Sequence, residues 1–181
     1  MVSMQPTNQS YFADEESCFL RPAIKPYRKG SLMSIILKQS PIFAFLCQHS
    51  QLDTVLDDEN FQGTVFAPGK EYCAKYYSYF DPSTIDHQRA RELVLAAVLK
   101  APMRQKDLFD EPPGDVPFDG CQTAVLPTMH RYSYLHAQLD PKNMLFPFRI
   151  NGSLTIIRGD LQCTNGVLHI LNGLIEPEAS I

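Results

Sequence analysis

Arg158-Gly159-Asp160 is the tripeptide of this sequence with the clearest chemical meaning. A guanidinium and a carboxylate separated by one glycine form an integrin-recognition motif, provided that they sit on an exposed loop of an extracellular protein. The remaining reactive side chains are scattered. His49, His87, His130, His136 and His169 fall in different stretches, and His130 and His136 are six apart, a poor spacing for one helix face. Cys18, Cys47, Cys73, Cys121 and Cys163 include no CxxC pair. Their odd number and wide spacing argue against a disulfide framework or a zinc site and for buried thiols. Glu15-Glu16 and Asp57-Asp58 lie in polar runs, where solvated charge is the expectation. Ala67-Pro68-Gly69-Lys70 ends like a phosphate loop, but the leading glycine and the following Ser or Thr are absent. GxSxG, HExxH and GxGxxG are absent as well. We therefore expect a non-enzymatic protein with no catalytic residue, cofactor or metal.

The elements that position these groups are clearest at the C-terminal end. Asn151-Gly152, Asn165-Gly166 and Asn172-Gly173 each suit the positive φ of a tight reversal. Between them, Leu154 to Ile157 and Val167 to Leu171 read as strands, the second apolar on both faces and so expected to be covered on both. Phe61 to Pro68 is a β-prone run stopped by proline. Helices are expected from Leu32 to Lys38 behind an Ser31 cap, from Pro41 to about His49, and over Leu52 to Leu56. Glu71 to Phe80 is helix-like, its tyrosines suited to core packing rather than to a binding stripe. Thr84 to Leu99 is the longest helical pattern. Asp107 to Gly120 reads as a loop. Cys121 to Leu126 and Met144 to Ile150 read as strands, and Met129 to Leu139 as a partly strand-like insertion. Helices first and strands last give an α+β chain.

The 181 residues carry a net charge of -4, with 44% hydrophobic and 20% charged residues. One domain plus an extension is expected, and no general nucleic-acid binding. The N-terminus has neither a basic start nor an apolar run, and no stretch reaches membrane-spanning length. We expect no secretory signal, no membrane insertion and an intracellular or virion location. Asn8-Gln9-Ser10 and Asn151-Gly152-Ser153 match glycosylation sequons, which without a signal are expected to be chance. Residues 1 to 30 show no period and are spaced by prolines. They form an extended arm, with Arg21, Lys25, Tyr27, Arg28 and Lys29 as candidate docking residues, ahead of a domain over residues 31 to 181.

Two motifs carry a family resemblance. Thr64-Val65-Phe66-Ala67-Pro68 resembles the first box of the fasciclin domain. Asp160-Leu161, then Thr164-Asn165-Gly166-Val167-Leu168-His169 onward to Pro177, resembles its second box, about ninety residues downstream. The resemblance covers roughly Ser31 to Pro177 and implies a β-sandwich or wedge flanked by a helical layer. It gives Thr64, Phe66, Ala67, Pro68, Asp160, Thr164, Asn165, Gly166, His169 and Pro177 structural roles. The family's adhesion-associated Tyr-His pair is replaced here by Ala96-Ala97, and Gly69-Lys70 stands where Thr-Asn often follows the first box. The resemblance, with these departures, implies an interaction or structural protein that docks with other proteins of a larger assembly. Because large DNA viruses carry fasciclin-like proteins, a minor capsid protein among other capsid proteins is the concrete form. The alternative is an adhesion module for a cell-surface or matrix protein or glycan.

Overall fold

The computed structural model describes residues 22–72, 85–109 and 122–177. Helix α1 runs over Leu32–Gln39. Ser31 is its N-cap, its hydroxyl accepting from Ser34 N at 3.1 Å, as a residue with an extended backbone and a short oxygen side chain does. Pro41 then opens α2, Pro41–His49, where the missing N–H costs nothing. A short α3, Asp53–Asp57, follows. Helix α4, His87–Ala96, is capped by Asp86 through Arg89 N. The helices bury Leu32, Met33, Ile36, Ile42, Phe43 and Leu93 in one core with the sheet.

Among the described residues there are seven strands, β1 Gly63–Pro68, β2 Val98–Leu99, β3 Gln122–Pro127, β4 Tyr134–Leu139, β5 Phe148–Ile150, β6 Leu154–Cys163 and β7 Gly166–Leu171. They form one sheet in the order β2-β1-β7-β6-β5-β4-β3. Only β1 and β7 are parallel, with Gly63 beside Gly166 and Phe66 beside His169. Every residue of both strands is buried, which agrees with their apolar character on both faces. The chain is thus α+β, with a helical layer packed on a seven-stranded sheet.

Several boundaries differ from expectation. The pattern that reads as helix through Leu99 breaks at Ala97, because β1 needs an antiparallel edge partner and Val98-Leu99 supply it. Met144 to Phe146 lie in a loop before β5 rather than in a strand. Strand β6 runs well past Ile157, its register against β7 slipping twice between Ile156 and Leu161. Those bulges break the apolar alternation by which a strand is recognised. Asn151 and Gly152, at φ 52° and 75°, do reverse the chain. Asn172-Gly173 does not lead into a strand among the described residues. The Asn172 side chain accepts from Thr155 N at 2.9 Å, holding the end of β7 against the start of β6. The expected helix over residues 73–80 and the loop over 110–120 lie outside the described residues, as do Cys18, Cys73 and Cys121.

Candidate functional site

The two motifs meet where β1 and β7 run side by side, and their polar groups hold one connection, residues 101–105. Thr64 is fully buried. Its hydroxyl donates to Ala101 O at 2.6 Å and accepts from Met103 N at 2.7 Å. His169, also fully buried, stacks on Phe66 with ring centres 5.1 Å apart. Its Nδ1 accepts from the backbone N–H of Asp160 at 3.1 Å, so the proton sits on Nε2, which faces Met103 O at 2.9 Å. Burial pushes its pKa below 6.5, against the smaller opposing pull of the Met103 carbonyl and the Asp160 carboxylate. A neutral imidazole with both nitrogens engaged is a strut, not a base awaiting a substrate.

Asp160 sits in the β6 bulge at φ 59°, a left-handed conformation that aspartate tolerates better than most residues. Its Oδ1 accepts from Gln105 N at 2.7 Å. Thr64, Asp160 and His169 therefore grip the same connection from three strands of the sheet.

Asn165 works at the other end of the seam. Its side chain is buried; Oδ1 accepts from Leu32 N at 2.7 Å, and Nδ2 donates to Leu56 O at 2.9 Å and Asp58 O at 2.8 Å. One amide thus caps α1 and ties the end of α3 to the β6–β7 turn. Thr164 N donates to Gly30 O at 2.8 Å. Pro68 O accepts from the Ser40 hydroxyl, joining β1 to the start of α2. Ala67 is buried, and Pro177 is partly buried at the end of the described chain.

Arg158-Gly159-Asp160 is part of strand β6, not of a projecting loop. Arg158 is exposed, and its Nη1 donates to Gln39 Oε1 at 2.8 Å. Gly159 lies under the Gln105 side chain, which comes within 2.1 Å of where a Cβ would stand. Asp160 is bound to Gln105 as described. The geometry that receptor recognition requires, an exposed loop with a free carboxylate, differs from this arrangement.

Residues 22–30, the described part of the expected extended arm, are bound by polar side chains of α2 and α3. Gln48 pairs with both backbone groups of Ala23, at 2.7 Å each. Buried Asp53 receives the Lys25 ammonium at 3.0 Å and the Tyr27 hydroxyl at 2.8 Å. Burial first, and then Asp53, push the Tyr27 phenol up to about 12, with Gln48 opposing. Asp57 accepts from Arg28 N at 3.0 Å, and Arg28 also reaches Glu59 at 3.3 Å. Lys29 is exposed, and Arg21 lies outside the described residues. Sequence patterning could not reveal this strap, because it is held by single polar contacts rather than by an apolar period.

Among the described residues, no group of three His, Cys, Asp or Glu could hold a metal ion. An open depression of about 380 Å³ is lined by Arg28, Thr54, Asp57, Asp58 and Glu59. Its acids are engaged by Arg28, Ser31 and Asn60. Cys47 and Cys163 are buried free thiols. Burial raises both, Cys163 to about 11, so neither is a ready nucleophile at neutral pH. Ala96 and Ala97 are buried at the end of α4, where Ala97 O accepts from Phe66 N at 2.9 Å.

The sequence model of the fasciclin domain matches residues 38–177. The chain belongs to the fasciclin domain family. Fasciclin domains are known as adhesion and interaction modules and are typically non-enzymatic. Among solved structures, a FAS1 domain pair from the insect cell adhesion molecule fasciclin I is similar at 16% identity, over 83% of this chain and 49% of that one, with a TM-score of 0.49. The chain spans about half the length of that domain pair. No curated protein matches the sequence. The fasciclin-box residues Thr64, Asp160, Asn165 and His169 all take up bonds that build the scaffold. Gln105, which completes the Asp160 bond, and Gln48 and Asp53, which hold residues 22–30, carry no signal in the sequence by which to find them.

Proposed function

We propose that this fasciclin domain is a non-enzymatic structural component that docks with other proteins in a larger assembly. One observation carries the reading: the side chains best suited to chemistry, at Thr64, Asp160, Asn165 and His169, are each committed to internal bonds. What such a molecule offers a partner is a surface on a cross-braced scaffold. The replacement of the family's Tyr-His pair by buried Ala96-Ala97 favours assembly over receptor adhesion, as does the engagement of Arg158 and Asp160. A minor capsid protein is the most specific form of the proposal. It is supported by analogy with fasciclin-like proteins of large DNA viruses.

Because residues 22–30 brace the domain, the docking role of the arm passes to residues 1–21. Deleting residues 1–21 leaves the Lys25, Tyr27 and Arg28 contacts in place and should give a folded domain that no longer enters its assembly. Incorporation at the wild-type level would remove the arm from the account.

A further inference from the structure

Asn-Gly occurs three times in the sequence, at residues 151–152, 165–166 and 172–173. The pair is chemically labile as well as a turn signal. Glycine has no Cβ to shield its nitrogen, so that nitrogen, once deprotonated, can attack Cγ of the preceding asparagine. The fold treats the three pairs differently. Asn165 is buried, and its amide is tied by the three bonds to Leu32, Leu56 and Asp58. Gly166 is buried in β7. Asn172 and Asn151 share one pattern. Each pairs with a single residue of a neighbouring strand, donating its N–H to that residue's carbonyl and accepting that residue's N–H at Oδ1. For Asn172 the partner is Thr155, at 3.2 and 2.9 Å; for Asn151 it is His136, at 2.8 and 2.9 Å. Solvent separates the two. Gly173 is buried, whereas Asn151, Gly152 and Ser153 are all exposed in the turn between β5 and β6. Around Gly152, nothing lies within 4 Å of where a Cβ would stand.

We propose that Asn151-Gly152 is a modification site, the one pair of the three at which the folded chain converts spontaneously through a succinimide to aspartate and isoaspartate. Solvent base takes the Gly152 amide proton, and the nitrogen closes on Asn151 Cγ. The Cγ–Nδ2 bond breaks and ammonia leaves. Water then opens the ring at either carbonyl. The net change is amide and water to carboxylate and ammonium, with no oxidant or reductant. The His136 N–H at Oδ1 draws charge from Cγ and so assists the attack. Neither Nδ2, the leaving group, nor the Gly152 N–H has a hydrogen-bond partner among the described residues. An exposed turn opens at little cost, whereas freeing the Asn165 amide requires α1, α3 and the β6–β7 turn to part. Opening at the Asn151 α-carbonyl gives isoaspartate, which threads the backbone through Cγ and dismantles the pairing with His136. Either product adds one negative charge to a chain of net -4. The inference goes beyond the assembly role and does not depend on it.

The test is incubation of the purified full chain at mildly alkaline pH, folded in buffer and unfolded in guanidinium chloride, followed by peptide mapping by mass spectrometry. Isoaspartate is counted separately, by methyl transfer from labelled S-adenosylmethionine with an isoaspartate-specific methyltransferase. In buffer, residues 151–152 should convert several-fold faster than either other pair. In denaturant the three rates should draw together, because the fold no longer shields two of them. Asn151→Gln, whose side chain must close a larger and slower ring, should remove most of the methyl acceptance of the folded chain. Absence of conversion at residues 151–152 of the folded chain overturns the proposal. So does faster conversion at 165–166 or 172–173, or undiminished methyl acceptance in Asn151→Gln. The wild-type peptide map needs no variant, so it decides the matter even if Asn151→Gln does not fold. These measurements contain no assembly partner, so their failure leaves the assembly reading untouched.

Discussion

Asn165 closes three hydrogen bonds with one amide, two of them buried, and that makes it a sensitive polar residue of the scaffold. Asn165→Ala orphans Leu32 N and the carbonyl of Leu56, while the exposed Asp58 O keeps Phe61 N at 3.3 Å. Each unpaired buried group costs about 1–3 kcal/mol, so we expect a loss on the order of 3 kcal/mol in urea unfolding. A loss below about 1 kcal/mol would mean that water replaces the amide. His169 makes a prediction in pH. Its folded pKa lies below 6.5, so the unfolded chain takes up a proton near pH 6.5 that the folded chain refuses. Its contribution is therefore present above pH 6.5 and is lost as pH falls through that value toward the folded pKa. Urea midpoints of wild type and His169→Gln should converge as the pH is lowered from 7.5 to 5. Parallel curves would show that the imidazole is not held neutral.

The parallel β1–β7 pair is the element on which the rest depends, and it tolerates no side chain at its closest approach. A Cβ at Gly166 would stand 2.2 Å from Gly63 O, a backbone atom that cannot turn away. Gly166→Ala should cost on the order of 3 kcal/mol by forcing the strands apart. Gly152 has open space but a φ of 75°, so Gly152→Ala should cost only about 1 kcal/mol. Chemical denaturation of both variants gives the ranking, and the reverse order would contradict the register described. At this scale much was legible in the sequence. The cap at Ser31, the helix-opening Pro41 and the two-sided apolar runs of β1 and β7 follow from local chemistry. What was not legible depends on distant partners. Val98-Leu99 become a strand because β1 has an open edge, and β6 continues through Arg158 and Asp160 because its bulges follow β7. Met144 to Phe146 stay out of a strand because Asp140 and Asn143 close a loop. The motif positions could be named from the sequence; the 101–105 connection that they grip could not, since it reads as an ordinary loop.

As a whole, the molecule is a helical layer and a sheet tied together by polar cross-links, with residues 22–30 strapped across α2 and α3. Removing residues 1–30 should destabilise the domain by on the order of 2–4 kcal/mol, because buried Asp53 loses both Lys25 and Tyr27. Thermal unfolding of that truncation beside one lacking only residues 1–21 separates bracing from docking. Equal stability of the two would mean that the strap contributes nothing to folding.

The central claim is that this fasciclin domain acts as a part of a larger protein assembly. The direct measurement is gradient sedimentation of the native protein from its source material, with its amount quantified across the fractions. The account predicts co-sedimentation with one larger particle at a fixed ratio to that particle's other proteins. Recovery wholly at the position of a free 20.5 kDa chain would contradict it.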